Sequence, residues 1–124
     1  MAYQIKQMNP QLQVTNLDSS IKFYTEVLSF EVDFLYEDFY AGIGKDGYSI
    51  HLKQTDQPIE KKAHTDDAPL EILFTVEDIE GIFNELSARE IQFVLPLRQM
   101  PYGKEFYLAD PDGNMISFVE PINN

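Results

Sequence analysis

Hydrophobic and polar positions change period several times along the first half of the chain. From Asn9 to Thr15, Leu12 and Val14 alternate with Gln11 and Gln13. A period of two gives a strand one apolar and one polar face. Asn16 and Asp18 follow, and both residue types cap helices well. Leu17, Ile21, Tyr24 and Leu28 then recur at helical spacing, which predicts a helix over about 17–28 with that face buried. Phe30–Tyr36 alternates again, and two further short strands are expected around Phe39–Ile43 and Tyr48–Lys53. Asp46-Gly47 between them is a hairpin turn signal.

The second half repeats this order. Leu70–Val76 reads as a strand, and Asp78 caps a helix over about 79–88 whose apolar face is Ile79, Ile82, Phe83 and Leu86. Ile91–Val94 reads as a short strand. Glu105–Leu108 and Met115–Val119 form a hairpin across Asp110-Pro-Asp-Gly113, a strong turn sequence. Leu12, Val14, Asn16 and Leu17 correspond to Phe74, Val76, Asp78 and Ile79, always 62 apart. Asp46, Gly47, Ile50 and Leu52 correspond to Asp112, Gly113, Ile116 and Phe118, always 66 apart. Matching strand, cap and turn in one order marks a duplicated unit. The fold class expected is α+β: two tandem βαβββ modules with pseudo-two-fold symmetry in one domain of 124 residues. The first module covers about 6–53, the second about 70–121, and the polar stretch 54–69 links them.

Strand parity identifies a working surface. With Leu12 and Val14 turned to the helices, Asn9, Gln11 and Gln13 face the other way. On the Tyr48 strand, Ser49, His51 and Lys53 oppose Ile50 and Leu52. On the Leu70 strand, Glu71, Leu73 and Thr75 oppose the core positions, and on the last strand Met115, Ser117 and Val119 do so. This face mixes amides, one His, one Glu, hydroxyls and apolar groups. On a curled sheet such a face suits a small-molecule cleft. Met100–Gly103 reads as a plain loop before the seventh strand, with a flap over the cleft as the alternative. Its Tyr102 is counted with the cleft. His64 lies in the linker and reads as a surface residue.

Composition narrows the function. Nine Phe, seven Tyr and 44% hydrophobic residues supply a globular core. Apolar runs are only a few residues long, and the N-terminus lacks the apolar segment of a signal peptide. The absence of cysteine fits a cytoplasmic location and excludes a thiol nucleophile. The net charge is −12, from 9 basic and 21 acidic residues, which argues against nucleic acid and anionic membrane as partners. The same field favours a cationic ligand. Gly42, Gly44 and Gly47 lie in a hairpin rather than between strand and helix, so they form no phosphate loop, and no Ser sits in a nucleophile elbow.

Val14-Thr-Asn-Leu-Asp-Ser-Ser-Ile-Lys-Phe-Tyr24 resembles the opening of the vicinal oxygen chelate superfamily, which holds glyoxalase I, bleomycin and fosfomycin resistance proteins and extradiol dioxygenases. Phe106-Tyr-Leu-Ala-Asp-Pro-Asp-Gly-Asn-Met-Ile116 resembles its closing signature, and the resemblance covers roughly residues 9–120. It implies four positions at which metal-dependent members carry ligands. Here they fall at Asn9, His51, Glu71 and Ser117. Only His51 and Glu71 are strong donors. Gln11 is a nearby amide, and Glu120 is a carboxylate of the wrong parity. The resemblance therefore implies a homodimer that binds an amphipathic small molecule without metal or other cofactor, as in the bleomycin resistance branch. The alternative it implies is a lyase, isomerase or dioxygenase using zinc, nickel, manganese or iron on a substrate with vicinal oxygens. In that case His51 and Glu71 would be ligands, or Glu71 the catalytic base. An interaction module with a vestigial cleft is the third reading.

Overall fold

In a computed structural model, described here for residues 2–60, 69–89, 91 and 93–122, the repeat appears as two units dividing between Pro58 and Ile59. In the first, the Leu12/Val14 alternation forms β1 (Gln11–Val14), with both apolar residues buried and both glutamines exposed. The chain then enters α1 (Leu17–Lys22), which continues directly into a π-helical turn over Phe23–Val27. Three strands follow: β2 (Glu31–Tyr36), β3 (Tyr40–Lys45) and β4 (Tyr48–Gln54). The second unit contains β5 (Ile72–Thr75), α2 (Ile79–Ser87), β6 (Phe93–Met100), β7 (Gly103–Ala109) and β8 (Met115–Pro121). Strand orders are β1-β4-β3-β2 and β5-β8-β7-β6. In each sheet the first strand pairs parallel with the last, and the other pairings are antiparallel. The duplication and the α+β class are thus present element by element.

Both helices begin as the sequence predicts. Asn16 caps α1, its side chain accepting from Ser19 N at 2.9 Å, while Asp18 lies in the first turn, where a carboxylate suits the helix dipole. Asp78 caps α2 and accepts from Gly81 N. A second repeated contact ties each helix to its own sheet. Gln54 Oε1 accepts from Leu17 N at 2.8 Å, and Glu120 Oε1 accepts from Ile79 N at 3.0 Å. These partners keep the same 62 and 66 offsets as the sequence matches. Glu120, the carboxylate of wrong parity, is therefore a helix anchor.

The cores lie between helix and sheet within each unit. In the first, fully buried Tyr24 meets Phe30 edge-on at 6.1 Å, among Leu12, Val14, Ile43 and Leu52. The second is built on phenylalanine. Phe106 stacks on Phe118 at 4.7 Å, with Phe83 and Phe93 packed at its edges at 5.3 and 5.6 Å.

Three expectations need correction. β6 does not end at Val94 but runs on to Met100, and Ile91 lies outside it. Its edge position and two register shifts, between Phe93 and Leu95 and between Leu95 and Arg98, accommodate Pro96, which has no N–H for a ladder. Because β7 starts at Gly103, Met100–Gly103 is neither loop nor flap. It is a tight hairpin turn, and Tyr102 O accepts from Ile122 N at 2.9 Å. β2 is not half-buried as its alternation suggests, since all six residues are exposed. His64 lies outside the described residues. Among the described residues, no helix is long and apolar enough to cross a membrane.

Candidate ligand-binding face

The non-core face of the first sheet carries a connected group of side chains. In register, β1 sets Gln11 beside His51 of β4, and β3 sets Gly42 beside the same His51. Tyr40, two residues before Gly42 on β3, points to this face. Its hydroxyl lies 2.9 Å from His51 Nδ1 and accepts from Gln11 Nε2 at 3.0 Å. When Tyr40 donates to Nδ1, His51 Nε2 carries the proton and presents a donor. An Nε2 lone pair is available only when Nδ1 is protonated and donates to Tyr40.

Phe34 comes from β2 and lies over Gly42. A methyl at Gly42 would collide with the Phe34 ring, so the absence of a side chain there makes room for it. The Phe34 and Tyr40 rings are nearly parallel, 18° apart with centroids at 6.2 Å, and His51 meets the Phe34 ring edge-on at 5.3 Å. Asp33 lies over Gly44 in the same way, and its Oδ2 accepts from Ser49 Oγ at 2.9 Å. Asn9 donates Nδ2 to Ser49 O at 3.2 Å. Gln13 and Lys53 are exposed on the same side.

The equivalent face of the second sheet is buried along β7 and β8. Met115 is 0% exposed and Ser117 1%, although parity assigns both to the working surface. Leu73, 55% exposed, and Thr75 on edge strand β5 are the open positions. Next to Ser117 and Val119, β7 contributes Tyr107 and Glu105. Glu105 is only 3% exposed, yet it is well supplied with donors. Arg98 donates Nε and Nη2 to its Oε2 at 2.8 and 2.6 Å, and the Tyr102 hydroxyl donates to Oε1. The Arg98 guanidinium also sits 5.9 Å from the centre of the Tyr107 ring. The hydrogen bond to Glu105, helped by burial, pushes the Tyr102 hydroxyl up to about 12. Burial, then the Glu105 charge, raises Tyr107. Tyr102 thus secures the β6–β7 turn to a buried carboxylate.

The four positions implied to carry metal ligands do not form a strong donor set. Asn9 is a neutral amide bonded to backbone, and Ser117 is a buried hydroxyl. The Glu71 carboxylate accepts from Met115 N through Oε2, while Glu71 N donates to Met115 O at 3.0 Å. Glu71 therefore closes the start of the β5–β8 ladder. Among the described residues, no three His, Asp or Glu side chains are grouped as a divalent ion requires.

Sequence reading misses Asp33, Phe34 and Tyr40. Tyr40 was accessible to it: Tyr40, Gly42 and Gly44 alternate with buried Ala41 and Ile43, the same parity that identifies Ser49 and His51. Asp33 and Phe34 carry no such signal, because their shared face comes from a break in the strand register.

A tandem repeat of βαβββ units, each with its first strand parallel to its last, defines the fold class. The sequence matches the Glyoxalase/Bleomycin resistance protein/Dioxygenase superfamily over residues 4–118, and the chain belongs to that family. A search of curated proteins returns no match. Among solved structures, the bleomycin-binding protein from bleomycin-producing Streptomyces verticillus, complexed with copper(II)-bleomycin, aligns with a TM-score of 0.71 at 22% identity, covering 98% of this chain and 100% of that one. A glyoxalase/bleomycin resistance protein/dioxygenase from Alicyclobacillus acidocaldarius aligns with a TM-score of 0.78 at 17% identity, covering 94% and 91%. TnmS3, an antibiotic binding protein from Streptomyces sp. CB03234, aligns with a TM-score of 0.67 at 18% identity, covering 97% and 100%. At these identities the likeness establishes the fold.

Proposed function

We propose that this protein binds an amphipathic small molecule on the non-core face of its first sheet, without a resident metal, and works as a homodimer in the cytoplasm. The observation that carries this reading is the open aromatic group of Phe34, Tyr40 and His51, with hydrogen-bonding side chains along its edge. Rings left half-exposed in a polar frame offer stacking area and orientation together. The net charge of −12 favours a cationic compound, and structural neighbours include proteins named for binding bleomycin and antibiotics. Binding without metal rests on the donors: Glu71 is engaged by backbone, and Asn9 and Ser117 are weak ligands. A homodimer suits sheets that are open, with β1 and β2, or β5 and β6, at their edges.

Native mass spectrometry with added bleomycin, with and without copper(II), tests all three points together. The expected spectrum is a dimer that takes up the organic compound and carries no stoichiometric zinc, nickel, manganese or iron. One metal per chain, lost in His51→Ala, would overturn the metal-free reading. A monomer at micromolar concentration would overturn the dimer. Failure to take up bleomycin or any other compound from a panel of amphipathic antibiotics would overturn the binding function.

A further inference from the structure

β2 contains a register shift that brings two adjacent side chains to one face. Val32 pairs with Ile43 and Phe34 with Gly42, so Asp33 is an extra residue between successive pairs. Neighbours on a regular strand point to opposite faces. A bulge removes that rule locally and re-aims a side chain. Asp33 and Phe34 accordingly both lie over the non-core face, Asp33 above Gly44 and Phe34 above Gly42. Two glycines on one face of β3 receive two consecutive residues of β2. The Phe34 ring remains 42% exposed, and Asp33 is exposed while held by the Ser49 hydroxyl.

From this arrangement we infer that the bulge builds a two-part recognition element for a planar aromatic compound bearing a cationic nitrogen group. Phe34 supplies the stacking surface and Asp33 the charge partner. The inference rests on the proposed small-molecule function and adds the chemical class of the ligand and its orientation. The neighbouring places of Asp33 over Gly44 and Phe34 over Gly42 set that orientation. Glu31, opposite Gly44 in the ladder, adds a second carboxylate at the Asp33 end. Lys53, opposite Tyr40, puts a positive charge at the other. The cationic group is drawn to the Asp33 carboxylate, while the ring lies across Phe34.

Fluorescence titration at low salt with the dye DAPI, a diamidine of phenylindole, and with uncharged phenylindole separates the two parts. Asp33→Asn retains an acceptor for Ser49 and removes the charge. It is expected to weaken DAPI binding about fivefold and leave phenylindole unchanged, and added salt should erase the difference. Phe34→Ala is expected to weaken both about tenfold. Gly42→Ala should weaken both as well, because its new methyl displaces the ring without removing it. Unchanged near-ultraviolet circular dichroism confirms folding of each variant. If wild type binds DAPI and no variant alters it, or if wild type binds bleomycin but neither probe, this assignment is overturned and the small-molecule function stands. If wild type binds neither the probes nor any compound of the antibiotic panel, both fall.

Discussion

The two modules share strand order, helix caps and helix anchors, yet they treat the same sheet face in opposite ways. In the first, β2 is exposed along its whole length, and Phe34, Tyr40 and His51 form an accessible aromatic group. In the second, the face is buried along β7 and β8, and the polar groups there bond to one another around Glu105. Their cores differ in the same sense. Tyr24 meets Phe23 and Phe30 edge-on in the first, whereas four phenylalanines, Phe83, Phe93, Phe106 and Phe118, form a larger ring cluster in the second. Aromatic surface stabilises when another group covers it and binds when it is left open. Duplication thus supplies two copies of one scaffold, one with this face buried along its last two strands and one with its rings available.

The largest expected effect that would test this contrast is in the second core. Phe106→Ala should cost about 4 kcal/mol in urea unfolding, because it removes the ring at the centre of the phenylalanine cluster. A cost below about 1 kcal/mol would show that the cluster is not the stabilising core. Arg98→Ala should cost about 3 kcal/mol, since it leaves the buried Glu105 charge without its guanidinium. Replacing Arg98 and Glu105 together should cost less than the single change, and a strictly additive double mutant would contradict their coupling.

A smaller effect is expected at alkaline pH. Tyr102 is raised from its ordinary value to about 12, so its proton is held more tightly in the folded state. The stability this contributes is complete below the unfolded value near 10 and is lost as pH rises toward about 12. Tyr102→Phe should therefore show a shallower loss of melting temperature over that range, and identical curves would break the link to Glu105. The smallest effect on stability belongs to the open face. Phe34→Ala should shift unfolding by about 1 kcal/mol, as expected of a half-exposed ring that touches Gly42, Tyr40 and His51 on its sheet. A loss comparable to that of Phe106→Ala would mean that the first face is structural as well.

The helices, their caps and the duplication were legible because each depends on local spacing. Asn16 and Asp78 lie beside the turns they cap, and the 62 and 66 offsets survive in Gln54 and Glu120, which reach back to the helix starts. Parity also placed Gln11, Ser49 and His51 on one face, as β1 and β4 are regular over those residues. It did less well on β2 and β6, whose register shifts re-aim side chains without changing the alternation of residue types.

Local sequence therefore determined the repeated βαβββ order and the buried apolar faces, since residue type and spacing suffice for each. Tertiary structure alone decided which copy of the face is open. Whether Phe34 lies on Gly42, or Ser117 is covered, depends on partners far away in the chain and on a bulge. It also decided the use of each carboxylate: Glu71 receives a backbone N–H, Glu120 anchors a helix and Glu105 meets Arg98. A carboxylate's role is set by the donor it meets after folding, and that meeting leaves no periodic trace in the order of residues.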